Sequence, residues 1–241
     1  MKVYDTRQFR EDLNLLNIQL TDEQINQFVR YFELLVEWNS FMNLTGITEY
    51  DEVMKKHFID SLSLVKIFDT SRECSVIDVG TGAGFPGLAL KIAFPWMEIT
   101  LLDSLNKRIQ FLDAVIADLD LKGVYTLHGR AEDYARREQY REQFDLCVSR
   151  AVAHLASLSE YCLPFVKVGG CFVSYKSEKV SEELVMSKNA IFLLGGKLGK
   201  SEEFELPNSD IFRNLICVDK IQFTSKRFPR KAGIPTKEPL K

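Results

Sequence analysis

The sequence predicts an α/β fold: a doubly wound, mostly parallel sheet with N-terminal helices and an antiparallel C-terminal hairpin. Two observations carry most of that expectation. From residue 75, short apolar runs alternate with stretches of helical period, which implies right-handed crossovers and a parallel sheet covered on both faces. Residues 1–70, in contrast, show helical spacing alone. A third observation sets the far end. The apolar runs Leu198–Leu206 and Leu215–Phe223 have no long helix between them, as in a hairpin.

Taken in order, Thr21 and Gln24 have the spacing of a capping box. After them Ile25, Phe28, Val29, Phe32, Leu35 and Val36 form the stripe of an amphipathic helix. Asn43 to Ile47 reads as a turn, and Thr48 with Asp51 would cap a helix through "EVMKKHFIDSLSLVKIF". Strands are expected at Val76–Val79, Ile99–Leu102, Val124–His128, Phe144–Ser149 and Cys171–Tyr175. Helices are expected at Gly87–Phe94, Asn106–Asp118, Ala131–Glu138, Leu155–Pro164 and Glu178–Lys188. Pro229, Pro235 and Pro239 make the last stretch an extended arm rather than a helix. The chain thus divides into an N-terminal helical extension (1–70), a sheet domain (71–225) and a basic C-terminal arm (226–241).

The 241 residues, 46% hydrophobic, suffice for one sizeable core. Net charge is −3, but Lys220 to Lys241 holds seven positive residues against one negative, leaving the rest of the chain at −9. Such asymmetry points to a polyanion contact at one end; a solvated tail is the plainer alternative. Five cysteines without CxxC spacing, several in apolar runs, suit free buried thiols in a reducing compartment. Three scattered histidines argue against a zinc site. No apolar signal core is present at the start, and the region from Leu88 to Leu102 is interrupted by Lys91, Pro95 and Glu98. These features describe a cytoplasmic protein with no membrane partner, no metal and no obligate protein partner.

The stretch "VIDVGTGAGFPGLAL" carries Gly80, Gly82, Gly84 and Gly87 within eight residues. It follows a strand and opens a helix. Bare backbone there lets a ligand approach the main chain, and the helix start favours acceptors. Gly82-x-Gly84-x-x-Gly87 matches the dinucleotide pattern, with Asp103 near the ribose distance. Its register is poor, because the first glycine after the strand is Gly80 and the sixth position from it is Phe85. The form Asp78-x-Gly80-x-Gly82-x-Gly84 fits from the strand end, and it is the form of S-adenosylmethionine-binding methyltransferases on a Rossmann-like fold. Asp78 suits the cofactor's ammonium group or orders the loop. Asp103, ending the second strand, can accept both ribose hydroxyls; alternatively it caps the helix near Asn106, a role for which Ser104 competes. Ala131 and Glu132 could flank an adenine, Glu132 being otherwise a first-turn carboxylate. Ser149 and Arg150, after the fourth strand, sit where such a sheet meets its substrate, the alternative for Arg150 being a surface ion pair.

In this light the chain resembles the RsmG (GidB) family of bacterial ribosomal RNA methyltransferases. The resemblance spans nearly the whole sequence, through "EWNSFMNLTGI", "KHFIDSL", the glycine stretch, "TLLDSLNKRIQFL", "GRAED", "VSRAVA" and "RFPRKAGIPTKEPL". It implies methyl transfer from S-adenosylmethionine to N7 of a guanosine in 16S ribosomal RNA, near the decoding region, with that RNA or the small ribosomal subunit as partner. It also implies a cofactor pocket of Gly80, Gly82, Phe85, Asp103, Ser104, Leu105, Ala131, Glu132 and Arg150.

Guanine N7 has a lone pair and no proton, so transfer needs positioning and no general base. The sequence accordingly shows no (Asn/Asp)-Pro-Pro-aromatic motif after the fourth strand and no Pro-Cys nucleophile; Cys147 follows Leu146 and is expected to pack in its strand. Arg150 and Ser149 are the expected substrate-positioning residues. Lys176, Lys226, Arg227, Arg230 and Lys231 are expected to meet RNA phosphates, unless Phe228 anchors the arm and its charges stay solvated. Two competing functions are an NAD-dependent oxidoreductase, for which a second mononucleotide-binding half is not found, and a non-catalytic RNA-binding protein that keeps the cofactor fold.

Overall fold

A computed structural model describes residues 4–177 and 180–240. The chain begins with α1 (Arg7–Leu15) and α2 (Asp22–Met42). The Thr21–Gln24 capping box forms, each side chain taking the other's backbone N–H. Thr48 and Asp51 do not cap the next helix. The cap position of α3 (Tyr50–Val53) is Glu49, without a side-chain bond. The helical run then continues through a π-helical turn (Met54–Ile59), α4 (Asp60–Leu62) and a 3-10 turn (Ser63–Lys66).

The alternating part builds β1 (Ser75–Val79), α5 (Gly87–Ala93), β2 (Glu98–Asp103), α6 (Asn106–Asp118), β3 (Val124–His128), α7 (Ala131–Tyr134), β4 (Phe144–Arg150), α8 (Leu155–Cys162), β5 (Val166–Lys176) and α9 (Ser181–Leu193). The hairpin β6 (Gly196–Glu205) and β7 (Phe212–Lys220) completes one sheet of order β3-β2-β1-β4-β5-β7-β6. The first five strands pair in parallel, and β7 and β6 pair antiparallel. The chain order reverses between β1 and β4, so a crevice opens at the carboxyl ends of these strands, where doubly wound folds bind ligands.

Two apolar layers cover the sheet. On one face, Phe28, Leu35, Phe58 and Leu62 from the N-terminal helices share a core with Leu88, Leu101 and Phe111. On the other, Leu155, Leu158 and Cys162 of α8 pack with Ile77, Cys147 and Phe172. Cys147 is fully buried in its strand.

Three local stretches differ from the sequence expectation. α7 ends at Tyr134, because the subsequent turns bring Arg141 round to donate to the carbonyls of Thr224 and Phe228 at 2.6 and 3.0 Å. α9 begins at Ser181 and continues to Leu193; Glu178, its expected start, lies outside the described residues. The C-terminal stretch is not an extended arm. Phe228 is buried, Gly233 is left-handed, and α10 (Ile234–Lys237) accepts Pro235 in its first turn, where a missing N–H costs nothing.

Candidate cofactor and substrate site

The glycine loop spans the ends of β1 and β2 and opens α5. Its four glycines have separate causes. Gly80 and Gly82 are left-handed, at φ of 74° and 62°. A side chain on Gly82 would meet nothing nearer than the Gly80 carbonyl at 4.0 Å, so its backbone faces open space. Gly84 faces inward instead: a Cβ there would lie 2.4 Å from the Tyr31 hydroxyl and 2.8 Å from Leu88. Gly87 is bare because Asp78 Oδ2 and Leu101 crowd it, at 2.9 and 2.4 Å from a Cβ.

Asp78 orders this loop rather than lining the cleft. It is fully buried and accepts from Gly87 N at 2.8 Å and Thr81 Oγ1 at 2.7 Å. Burial pushes its carboxyl up to about 6, against the pull of those two donors. Below the loop, the Tyr31 hydroxyl of α2 donates to the Ala83 carbonyl.

Three cavities adjoin along the crevice. The first, 230 Å³, is bounded by Gly80, Asp103, Ser104, Ala131 and Glu132, with Tyr161, Gly233 and Thr236. The second, 390 Å³, shares Gly80, Asp103 and Ser104 and runs past Gly82 to Thr45, His57, Phe85 and Arg150. The third, 490 Å³, continues from Arg150 to Lys56, Tyr175, Lys176 and Arg213.

Asp103 joins the first two. It is 2% exposed. Its Oδ2 accepts from Gly82 N at 2.9 Å and Arg108 at 3.1 Å, and its Oδ1 from Leu105 N at 2.9 Å. A carboxylate has about four acceptor sites, so Asp103 retains capacity for one further donor rather than two. Neither Asp103 nor Ser104 supplies a side-chain cap to α6; the cap position is Leu105, which is 43% exposed and outside the lining of all three cavities.

Arg150 lies between the second and third cavities. It is no surface ion pair. Its guanidinium donates to Asp60 Oδ2 at 2.7 Å, where Arg213 holds the other oxygen at 2.8 Å. It also reaches His57 Nδ1 at 3.3 Å and lies 5.2 Å from the Phe85 ring centre. Arginine only donates, so Nδ1 is the acceptor and His57 carries its proton on Nε2, toward Thr45 Oγ1 at 2.9 Å. Burial, then the Arg150 charge, pulls His57 down to about 3. The neutral ring stacks on Phe85 at 4.5 Å.

Ser149 does not line any of the three cavities. It is fully buried, and its hydroxyl donates to the Val79 carbonyl at 2.7 Å, tying β4 to β1. Lys176 does line the third cavity but is held by Glu183 at 2.7 Å. Arg230 is engaged as well. It forks onto the fully buried Glu160, with contacts from 2.7 to 3.1 Å. Lys226, Arg227 and Lys231 remain exposed around the Phe228 anchor.

Local spacing does not pick out His57, Thr45, Tyr31, Glu160 or Tyr161. One signal is present for Glu160: it is the lone acid in the otherwise uncharged α8 "LASLSEYC". Such an acid inside a buried helix needs a cation.

A parallel sheet with a reversal point, a bare glycine loop and a carboxylate at the end of β2 define a Rossmann-like S-adenosylmethionine-dependent methyltransferase. Solved structures share the fold. A SAM-dependent methyltransferase from Aquifex aeolicus superposes with a TM-score of 0.51 at 17% identity, over 70% of this chain and 93% of that one. TYW2 of M. jannaschii in complex with AdoMet gives 0.50 at 13% identity, over 86% and 80%. Sequence relatives narrow the class. The family model for GidB, rRNA small subunit methyltransferase G, matches residues 24–211. Ribosomal RNA small subunit methyltransferase G of Lachnoclostridium phytofermentans is 53% identical over 98% of both chains, and that of Clostridium tetani 48% identical over the whole of both. This chain belongs to the ribosomal RNA small subunit methyltransferase G family. Among the described residues, no helix is long and apolar enough to cross a membrane.

Proposed function

We propose that this protein transfers a methyl group from S-adenosylmethionine to N7 of a guanosine in 16S ribosomal RNA, near the decoding region, as a cytoplasmic enzyme acting on that RNA or the small subunit. One observation carries the reading: the cavity beneath the bare glycine loop opens, past Arg150, into a second space bounded by cations. The residues fit the cofactor. Gly82 offers a backbone cradle that a Cβ would fill, and Asp103 keeps one acceptor site beside Ser104. When bound, S-adenosylmethionine supplies an electrophilic methyl group.

This chain's part is to hold and orient. Each carboxylate that lines the cavities is engaged: Asp60 by Arg150 and Arg213, Asp103 by backbone and Arg108, Glu132 by Gly233 N, Glu183 by Lys176. His57 is neutral with both ring nitrogens occupied. Guanine N7 needs no proton removed, so a site whose lining carboxylates are all engaged suits it, and rate comes from alignment and exclusion of water. Lys56, Arg150, Lys176 and Arg213 outnumber Asp60 and Glu183 around the third cavity, which favours an approaching phosphate backbone. Lys226, Arg227 and Lys231 would extend that attraction along the C-terminal segment.

Small subunits lacking the modification, incubated with methyl-labelled cofactor and then mapped, test the reading. Label at N7 of one 16S guanosine is expected. Label at another atom, or none on naked RNA or subunits, would overturn it.

A further inference from the structure

The C-terminal sequence "RFPRKAGIPTKEPL" has a role that its charges do not explain. Gly233 and Thr236 line the cavity bounded by Asp103, Ala131 and Glu132, together with Tyr161 of α8. Four contacts hold this segment in place. Arg230 forks onto Glu160, which has no exposure of its own. Gly233 N donates to Glu132 Oε1 at 3.0 Å. Ser157 Oγ donates to the Pro235 carbonyl at 2.7 Å. The Tyr161 hydroxyl and Thr236 Oγ1 share a hydrogen bond of 2.5 Å. Phe228, 4% exposed, anchors the start of the segment in the α8 core.

We propose that this segment, with Tyr161, is the base-recognising wall of the cofactor pocket, its hydroxyl pair accepting the exocyclic amine of the adenine. The inference rests on the cofactor reading above. Ribose held at Asp103 directs the base toward Ala131 and Glu132, and the lining beyond them is Tyr161, Gly233 and Thr236. The paired hydroxyls have four lone pairs and two hydrogens between them, and their mutual bond uses one of each. What remains is rich in acceptors. A purine amine is a donor of matching chemistry, and an unmet donor in a partly closed pocket is costly. The buried Glu160–Arg230 pair and the Glu132–Gly233 bond keep the wall fixed.

The test compares S-adenosylhomocysteine with its purine-riboside analogue, which lacks only the amine, by calorimetry. Wild type should bind the adenine form about 3- to 10-fold more tightly, the scale of one neutral hydrogen bond. A Tyr161→Phe, Thr236→Val double variant should bind the two equally, and Thr236→Ser alone should retain the preference. A preference kept in the double variant, or none in wild type, overturns the proposal. Should the double variant fail to fold, Thr236→Val and Tyr161→Phe are measured singly; an undiminished preference in both again refutes it. Failure of wild type to bind S-adenosylhomocysteine at all would instead sink the cofactor reading.

Discussion

Replacing Asp103 with asparagine takes a charge from the one side chain that joins the glycine loop to the end of β2. The carboxylate now serves Gly82 N, Leu105 N and Arg108. An amide keeps a single oxygen, so either Leu105 N faces an NH₂, or Gly82 N and Arg108 both do. Arg108 is a third exposed, so its pair contributes little once screened. The lost backbone bond should cost about 1–2 kcal/mol of stability, a melting shift of roughly 2–8 °C for a chain of this size. The cofactor loses a charge-assisted bond to one ribose hydroxyl, worth about 1.5–3 kcal/mol, or roughly 10- to 150-fold in Kd. Calorimetry with S-adenosylhomocysteine, beside thermal melts in the same buffer, measures both. Asp103→Ala should lose more stability, because Gly82 N and Leu105 N then both lose their acceptor. A Kd within twofold of wild type in a folded Asp103→Asn protein would remove this carboxylate from the site.

Gly84→Ala should destabilise the fold by about 1–3 kcal/mol, since its Cβ meets the Tyr31 hydroxyl, whereas Gly82→Val, strained at its left-handed φ, should cost both stability and cofactor affinity; paired melts and titrations separate them. Ser149→Ala should lower stability by about 1–3 kcal/mol, by stranding the Val79 carbonyl, and keep measurable methyl transfer; complete loss at full stability would restore Ser149 to the chemistry. His57, half-buried, and the buried Asp78 should oppose each other in acid. His57 sits at about 3 against an ordinary 6.5, so the unfolded chain binds the extra proton and stability falls as pH drops below 6.5. Asp78 sits at about 6 against 3.8, so the folded chain binds the extra proton and stability falls as pH rises from about 4 to 6. Between pH 4 and 6, denaturation of His57→Asn should therefore show a slope more negative than wild type, and Asp78→Asn one more positive, each by up to about 1.4 kcal/mol per pH unit. Charge removal at Lys226, Arg227 and Lys231 should weaken RNA binding and flatten its salt dependence by up to about one contact per residue. Arg230→Ala should instead unfold more easily, by roughly 3 kcal/mol, because it strands Glu160; filter binding across salt and melts distinguish the two.

Where the local pattern carries the information, sequence and structure agree closely. β3 and α6 coincide with their expected ranges at both ends, each bounded by a clear change of period. β5 starts at Val166 rather than Cys171; two glycines, Gly169 and Gly170, break its apolar pattern, and in the fold a Cβ on Gly170 would lie 2.5 Å from the Asp145 carbonyl of the neighbouring strand. The bare loop and Asp103 are legible for the same local reason. Ser149 is misplaced by the sequence because a strand end shows which residues reach the crevice but not which side chain turns inward. Arg230 is misread for want of Glu160, which lies 70 residues earlier in the chain. No spacing rule links such distant positions.

The C-terminal segment closes its cavity through contacts that span long stretches of chain, 101 residues from Gly233 to Glu132 and 70 from Arg230 to Glu160. On the ribosome, β1 to β5 can pair while those last residues are still unmade. A nascent chain released before Arg230 would carry a finished glycine loop over a pocket open at one side. Binding competence should therefore arrive late in synthesis, after most secondary structure. A truncated product would resemble the enzyme by circular dichroism and yet hold its small molecule poorly.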